Sequence, residues 1–179
     1  MKVGFCGTMS VGKTTLVNHL KELSDFQDYT FRTERSKHLM SLGIPLNTDS
    51  TLKGQTVFLS ERAAELMQEN IITDRTVIDV MSFAQCSESM NYVEKENFIR
   101  LAASLLHEYD YIFYVSPEGV EIEDNGVRET NAKYRDLIDF TIQMFLNRYK
   151  HRIKNLVEIK GTTEERVKII QETLSAQYV

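Results

Sequence analysis

Five short apolar segments alternate along the chain with longer segments in which apolar residues recur at helical spacing. The apolar segments are residues 3–6, 29–32, 71–73, 111–115 and 156–159. The helical patterns cover residues 13–23, 35–42, 51–68, 79–84, 94–108 and 131–153, and a last one follows residue 161. Strands that alternate with helices predict an α/β fold in which a five-stranded parallel sheet carries helices on both faces.

The loop between the first strand and the first helix carries the most specific motif of the chain. Residues 7–14 match the pattern G-x-x-x-x-G-K-[ST] at every fixed position, so the fold class predicted is that of P-loop NTPases. In such a loop the backbone N–H groups and the helix N-terminus surround phosphates. The Lys13 amine reaches the β- and γ-phosphates, and the Thr14 hydroxyl suits Mg²⁺. The predicted ATP-binding residues of this loop are Gly7, Thr8, Met9, Ser10, Val11, Gly12, Lys13, Thr14 and Thr15.

Length and composition limit the number of domains, the cellular compartment and the kinds of partner that we expect. The 179 residues suit one domain, which we expect to span 1–179. No apolar run approaches the roughly 20 residues that span a bilayer, and the first strand leaves no room for a signal peptide. Cys6 and Cys86 are too few for a disulfide framework, which favours the cytoplasm. The net charge of −5 argues against a general binder of polyanions but does not exclude a local basic pocket.

A second acidic group indicates which kind of P-loop protein this is. The strand at 111–115 ends in Ser116-Pro117 without an acid, whereas the strand at 71–73 is followed by Asp74-Arg75. At the carboxyl end of a parallel strand this pair projects into the ligand crevice. Asp74 can hold Mg²⁺ or accept a proton, and Arg75 can neutralise charge on the γ-phosphoryl group. The alternative is a helix-capping Asp beside a surface Arg.

Taken in order, several motifs resemble the NadR-type ribosylnicotinamide kinases and their AAA-like relatives. They are the 7–14 loop, Glu34-Arg35, Asp74-Arg75-Thr76 with Asp79, residues 124–128 with Tyr134-Arg135, and residues 161–166. The wider relatives include nucleoside and nucleoside-monophosphate kinases and small phage kinases that act on modified bases. The resemblance covers nearly the whole chain and implies a lid at about 117–134. The acidic run from Glu118 to Asp124 is heavier than such a lid needs.

The resemblance also implies roles for single residues. Glu34 would grip the acceptor's hydroxyls or act as the base, although a surface Glu at a helix start is the alternative. Arg128, with Arg135 or Lys133, would close over the triphosphate, unless Arg135 pairs with Asp139 one helical turn away. Two further residues, Gly161 and Thr162, would bracket the adenine, although Thr162 with Glu165 also forms a capping box.

Three other positions carry weaker expectations. Asp79 could support Mg²⁺ or Arg75, but an N-cap role is the preferred interpretation. From the helix after Ser50, Gln55, Phe58 and Arg62 could line the acceptor side of the crevice, with core packing preferred for Phe58.

These observations predict a Mg·ATP-dependent kinase that transfers the γ-phosphoryl group to a hydroxyl of a nucleoside or nucleotide. Lys13, Asp74, Arg75, Arg128 and Glu34 would carry the chemistry, and Thr14 and Asp74 would hold the metal. One alternative is a phage-type kinase that acts on a hydroxymethylated base, 5-hydroxymethyluracil, in DNA. Another is a nucleotide-binding regulatory switch. The segment 76–108 offers an apolar helix that could form a homodimer, and no membrane partner is expected.

Overall fold

The computed structural model describes residues 1–33, 35–118 and 132–176, and strands alternate with helices along them. The strands are β1 (Lys2–Cys6), β2 (Thr30–Arg32), β3 (Ile71–Asp74), β4 (Tyr111–Val115) and β5 (Leu156–Ile159). The α-helices are α1 (Lys13–Lys21), α2 (Ser36–Ser41), α3 (Leu52–Glu65), α4 (Val77–Gln85), α5 (Tyr92–Ala103), α6 (Ala132–Arg148) and α7 (Thr163–Ser175). Short 3₁₀ turns lie at Ser24–Phe26, Asn47–Asp49, Leu106–Glu108 and Lys150–Arg152.

The strands form one parallel sheet in the order β2-β3-β1-β4-β5, which confirms the predicted α/β P-loop fold. β1 lies at the centre, with β3 on one side and β4 on the other. In this register Phe5 of β1 stands opposite Asp74 of β3. Because the strand order reverses direction at β1, its carboxyl end is the place where sheets of this kind bind ligands.

Two hydrophobic clusters cover the two faces of the sheet. Val3 and Phe5 of β1 point into a cluster with α1 and α7, whereas Cys6 points into the other cluster with α4, α5 and α6. Gly4 lies between them in the strand, and an added Cβ there would stand 2.5 Å from the Thr76 methyl carbon. The alternation of side chains along β1 therefore determines which helices pack on each face.

The helix boundaries differ from the predicted ones where capping residues decide them. α4 begins at Val77 rather than at residue 79, because Thr76 is its N-cap and accepts from the Ile78 N–H. α5 begins at Tyr92, because Asn91 caps it, and the Glu94 predicted to start it is its third residue. The long helical pattern after residue 131 ends at Arg148 and continues as a 3₁₀ turn. Among the described residues, no helix is long and apolar enough to cross a bilayer.

Candidate active site

The phosphate-binding loop (P-loop, residues 7–14) joins β1 to α1 at the carboxyl edge of the sheet. Gly12, the residue before α1, has φ 83°, a left-handed conformation that L side chains rarely adopt. Gly7 lies so close to β4 that an added Cβ would stand 2.7 Å from the Val115 carbonyl oxygen. Both fixed glycines of the motif are thus needed for this loop shape, and the N-terminus of α1 that follows is an anion-binding element.

The Lys13 side chain lies inside the P-loop. It is 5% exposed, and its Nζ donates to the carbonyl oxygens of Gly7 at 2.7 Å and of Thr8 at 2.6 Å. The ammonium charge is therefore held within the loop, where phosphate oxygens would meet it. Two of the predicted nucleotide-binding residues stand apart, since Met9 packs in the core and Thr15 is exposed on α1.

The hydroxyl of Thr14 and the carboxylate of Asp74 meet at the mouth of the P-loop. Thr14 Oγ1 donates to Asp74 Oδ2 at 2.5 Å, which joins α1 to the end of β3. Asp74 is 1% exposed, and its other oxygen, Oδ1, is buried without a hydrogen-bond partner within 1–33, 35–118 and 132–176. A buried carboxylate oxygen beside a hydroxyl is a donor set that suits a hard divalent cation. The two residues predicted to hold the metal are thus brought together.

Arg75 follows directly, in a backbone conformation unusual for a side chain of its size. Its φ is 87°, and its N–H donates to the Phe5 carbonyl oxygen of β1 at 2.9 Å. The guanidinium pairs with Asp79 at 3.5 Å and lies over the Phe83 ring, 5.1 Å from the ring centroid. A strained residue held by several contacts is typical of functional sites. The Arg75 side chain is 14% exposed and Thr76 rather than Asp74 caps α4, so the alternative of a helix-capping Asp beside a surface Arg is wrong.

Asp79 connects this turn to the P-loop. It is fully buried and completes the capping box of α4 with Thr76, so it is the third residue of the helix and not the N-cap. Its Oδ2 accepts from the Thr76 N–H at 2.8 Å, and its Oδ1 accepts from the Gly7 N–H at 3.2 Å. The preferred interpretation of Asp79 as N-cap was thus wrong, while the support for Arg75 is observed.

Arg62 lies behind Asp74 rather than at the surface of the crevice. It is 4% exposed, and its Nη1 donates to the Asp74 carbonyl oxygen at 3.1 Å. Its Nη2 donates to Glu65 Oε1 at 2.8 Å, and burial raises the pKa of Glu65 to about 7. Arg62 thus supports the backbone of Asp74. Gln55 is buried, and Phe58 packs against the core as preferred.

Arg166 of α7 holds the P-loop from the opposite side, a role that the sequence analysis missed. It is 4% exposed, its Nη1 donates to the Val11 carbonyl oxygen at 2.7 Å, and its Nη2 donates to the Ser116 carbonyl oxygen at 3.3 Å. Burial lowers its pKa. The available signal was its position, because Arg166 shares the inward stripe of α7 with Ile170 and Leu174 at helical spacing.

The predicted adenine loop lies at the start of α7. Thr162 caps α7 and forms the predicted capping box with Glu165, and Gly161 has a left-handed φ of 93°. An added Cβ on Gly161 would collide with the Glu165 carboxylate, so the capping box itself requires glycine there. These contacts explain Gly161 and Thr162 structurally, and their adenine role stays a prediction.

The start of α6 places the described part of the predicted lid beside the P-loop. Thr8 Oγ1 donates to the Arg135 carbonyl oxygen at 2.9 Å. Arg135 Nε and Nη2 are buried without a hydrogen-bond partner in the described part of the chain. Asp139 accepts instead from Tyr114 at 2.8 Å and Gln143 at 2.7 Å, so the alternative Arg135–Asp139 pair is wrong.

Several predicted site residues lie outside the described residues. They are Glu34, Arg128 and the acidic residues from Glu121 to Asp124. Lys133 is exposed at the start of α6, and Glu118 is exposed and pairs with Lys160 at 3.5 Å. Their predicted roles in gripping the acceptor and closing over the triphosphate stay predictions.

A concave surface at the mouth of the P-loop gathers the described candidates. It is lined by Ser10, Val11, Gly12, Lys13, Thr14, Asp74 and Arg75. Within the three described ranges, no group of three or more His, Cys, Asp or Glu residues could enclose a metal by itself. A cation here would therefore draw on Thr14, Asp74 and the oxygens of a ligand, as expected for Mg²⁺ bound with a phosphate.

The family of the chain agrees with this geometry. The chain belongs to the AAA domain family AAA_28, whose profile matches residues 2–166. No curated protein matches the chain.

Solved structures share the fold of this chain at low sequence identity. The deoxyadenosine kinase from M. mycoides with bound dCTP has 16% identity and a TM-score of 0.68, covering 98% of this chain and 100% of that one. A structure of that kinase with the product dCMP has 15% identity and a TM-score of 0.65, covering 99% and 100%. The YorR protein from Bacillus subtilis, in complex with phosphorylated GDP, has 13% identity and a TM-score of 0.62, covering 99% and 98%. These likenesses show that the chain shares the fold of these structures.

Proposed function

We propose that the protein is a Mg·ATP-dependent kinase that transfers the γ-phosphoryl group of ATP to a hydroxyl of a nucleoside or nucleotide. One observation carries the proposal: Thr14 and Asp74 are hydrogen-bonded at the mouth of the P-loop, with Arg75 next along the chain. This arrangement supports the proposal, because a metal-suited carboxylate and a cation lie beside the loop that would hold the γ-phosphate of a bound nucleotide.

Within this proposal the P-loop binds and orients the triphosphate. Lys13 and the N–H groups at the start of α1 supply positive charge, and Arg166 holds the loop in shape through Val11. Bound Mg²⁺ would neutralise charge that develops on the phosphoryl oxygens. Thr14 and Asp74 would hold that ion, because the unpartnered Asp74 Oδ1 is an available ligand atom.

The transfer step needs an acceptor hydroxyl held in line with the γ-phosphorus. The acceptor oxygen forms a bond to that phosphorus as its bond to the β,γ-bridging oxygen breaks, and ADP leaves with the electron pair. The acceptor proton passes to a carboxylate, for which Asp74 and Glu34 are the candidates. Arg75, with Arg128 and Arg135 of the lid, would stabilise charge on the transferred group.

The acceptor class rests on resemblance and on the fold. The sequence motifs resemble ribosylnicotinamide kinases, whereas two of the structural neighbours are structures of a deoxyadenosine kinase with dCTP or with the product dCMP bound. A kinase of either kind acts on a nucleoside, whose sugar hydroxyl would serve as the acceptor. We therefore propose a small nucleoside or nucleotide acceptor and a cytoplasmic location, where ATP and Mg²⁺ are present. A homodimer through α5, which exposes Tyr92, Val93 and Leu101, stays a proposal that sedimentation would test.

The decisive experiment measures ADP release from Mg·ATP against a panel of acceptors. The panel holds nicotinamide riboside, each nucleoside and nucleoside monophosphate, and DNA that contains 5-hydroxymethyluracil. Lys13→Ala and Asp74→Asn are compared with Lys21→Ala and Asp28→Asn, which remove exposed charges away from the P-loop mouth. We expect one acceptor to raise ADP release strongly, and both site variants, but neither control, to abolish that rise.

The other outcomes are equally informative. A rise with the DNA alone would move the proposal to a modified-base kinase. A flat panel with tight, Mg²⁺-dependent nucleotide binding would overturn the kinase in favour of a nucleotide-binding switch. A protein that binds no nucleotide would overturn both.

A further inference from the structure

The Asp79 carboxylate joins three segments of chain at the edge of the site. Oδ1 accepts from the Gly7 N–H at 3.2 Å and from Arg75 Nη1 at 3.5 Å. Oδ2 accepts from the Thr76 N–H at 2.8 Å and from the Thr76 hydroxyl at 3.1 Å. One oxygen therefore serves the helix cap, and the other faces the P-loop and Arg75.

Helix capping by itself does not explain this placement. The capping boxes of α5 and α7 use Glu94 and Glu165 as the third helix residue, and both capping contacts are exposed to solvent. Asp79 performs the same local task while fully buried. Burying a carboxylate is costly unless several donors compensate. The donors beyond the cap are Gly7 and Arg75, so they are what distinguishes this box from the other two.

Arg75 depends on this carboxylate for its place in the site. Its left-handed backbone is fixed by the hydrogen bond to Phe5, and its guanidinium is held between Asp79 and the Phe83 ring. The same Asp79 oxygen that faces Arg75 also accepts from the first residue of the P-loop. One carboxylate oxygen thus links the Arg75 guanidinium to the first residue of the P-loop.

We infer that Asp79 is a positioning residue, which holds the Arg75 guanidinium at a set distance from the P-loop so that it meets the transferring phosphoryl group. The inference rests on the proposed kinase function and deepens it. Asp79 itself touches no reacting atom.

The test variant is Asp79→Asn, because an amide keeps one oxygen for the cap. Its NH₂ group would then face the Gly7 N–H and the Arg75 guanidinium, which are both donors. The matched control is Glu94→Gln, which changes the same capping position of α5 at the surface. We expect Asp79→Asn to lower kcat about 10- to 100-fold with KM for ATP changed by less than about threefold. Glu94→Gln should leave both values unchanged.

A double-mutant cycle separates positioning from general damage. If Asp79 acts through Arg75, adding Asp79→Asn to Arg75→Gln should lower kcat by no more than about threefold further. If the losses in kcat of the two single variants multiply in the double variant, the inference is overturned. So would equal kinetic losses in Asp79→Asn and Glu94→Gln.

A second measurement needs neither activity nor the variant. In the wild-type protein, NMR should show the Gly7 amide protected from hydrogen exchange, because its N–H donates to the buried Asp79 carboxylate. Rapid exchange at Gly7 would overturn the inference even if Asp79→Asn failed to fold. A protein that shows this protection but phosphorylates no acceptor would overturn the proposed function and leave the contact itself established.

Discussion

Among the elements that hold the P-loop, the β3 side and the α7 side use different chemistry. On the β3 side, carboxylates contact it, since Asp74 accepts from the Thr14 hydroxyl and Asp79 from the Gly7 N–H. On the α7 side, the Arg166 guanidinium contacts it through the Val11 carbonyl oxygen. Charged side chains on the β3 side lie near the proposed place of phosphoryl transfer, whereas Arg166 holds the loop through its backbone. We therefore expect substitutions on the β3 side to lower the catalytic rate, and substitutions on the α7 side to lower the stability of the protein and its affinity for ATP.

The largest effect is expected from Asp74→Asn. Replacing the carboxylate removes a charge at the mouth of the P-loop and weakens the predicted Mg²⁺ ligand set, so kcat/KM should fall by about 10²–10³-fold. The Mg²⁺ concentration for half-maximal rate should also rise. Steady-state kinetics at several Mg²⁺ concentrations measure both, with Asp28→Asn as the surface control. If Asp74→Asn left the kinetics unchanged, the β3 side would have no role in catalysis.

Next in size is Arg166→Gln on the α7 side. It leaves the carbonyl oxygens of Val11 and Ser116 without their buried charged donor, so the free energy of unfolding should fall by about 2–4 kcal/mol. ATP should bind more weakly, while kcat at saturating ATP stays near wild type. Urea unfolding and calorimetry test this against Lys168→Gln, an exposed change on the same helix. If Arg166→Gln lowered kcat alone, the α7 side would affect catalysis rather than stability and binding, contrary to the prediction.

A smaller effect concerns pH and Glu65, which lies behind Asp74. Burial raises its pKa from 4.5 to about 7 in the folded protein. Since the folded state holds the proton more tightly than the unfolded state, the contribution to stability is full below pH 4.5 and is lost as pH rises through 7. Relative to Glu65→Gln, wild-type stability should therefore decline between pH 5 and pH 8, on the order of 1–3 kcal/mol. Urea unfolding across this pH range measures the effect, with exposed Glu69→Gln as the control. A stability difference between wild type and Glu65→Gln that does not change with pH would refute the expectation.

The smallest change is expected away from both sides. Asn91→Ala removes the side-chain cap of α5 and should cost about 1 kcal/mol of stability. ATP affinity should not change, because the hydrogen bonds described above at the loop mouth come from β3, α4, α6 and α7. Thermal unfolding and calorimetry measure the two quantities. Weakened ATP binding in this variant would show that the site is coupled to the outer helices.

The P-loop shows how far local sequence could predict the site. Its glycines, Lys13 and Thr14 lie within eight consecutive residues, so their spacing alone specifies the loop and the helix N-terminus. The sheet class was predictable for a similar reason, because each strand and helix has its own hydrophobic period. The capping box of α7 was likewise confirmed from two residues, Thr162 and Glu165.

The contacts of Asp79 and Arg166 could not be predicted from neighbouring residues in the sequence. The capping box of Asp79 can be read from residues 76–79, but its contact with Gly7 spans 72 positions and depends on β3 pairing with β1. Arg166 lies 155 positions from Val11, so its contact with the P-loop could not be predicted. The sequence showed only a charged residue on the apolar face of a predicted helix. Arg62 was expected to line the crevice, and its contact with the Asp74 backbone could not be predicted because Asp74 lies on another element.

The sequence by itself determined the P-loop, the alternation of strands and helices, and the residues that cap α7, because each depends on neighbours within one or two turns of chain. Only the tertiary structure decided that β3 lies beside β1, that Asp74 meets Thr14, and that Asp79 faces inward. The reason is physical: strand order and burial are set by the packing of whole layers, and a side chain's partners follow from that packing. The chemistry of the site is thus encoded locally, and its arrangement is encoded by the fold.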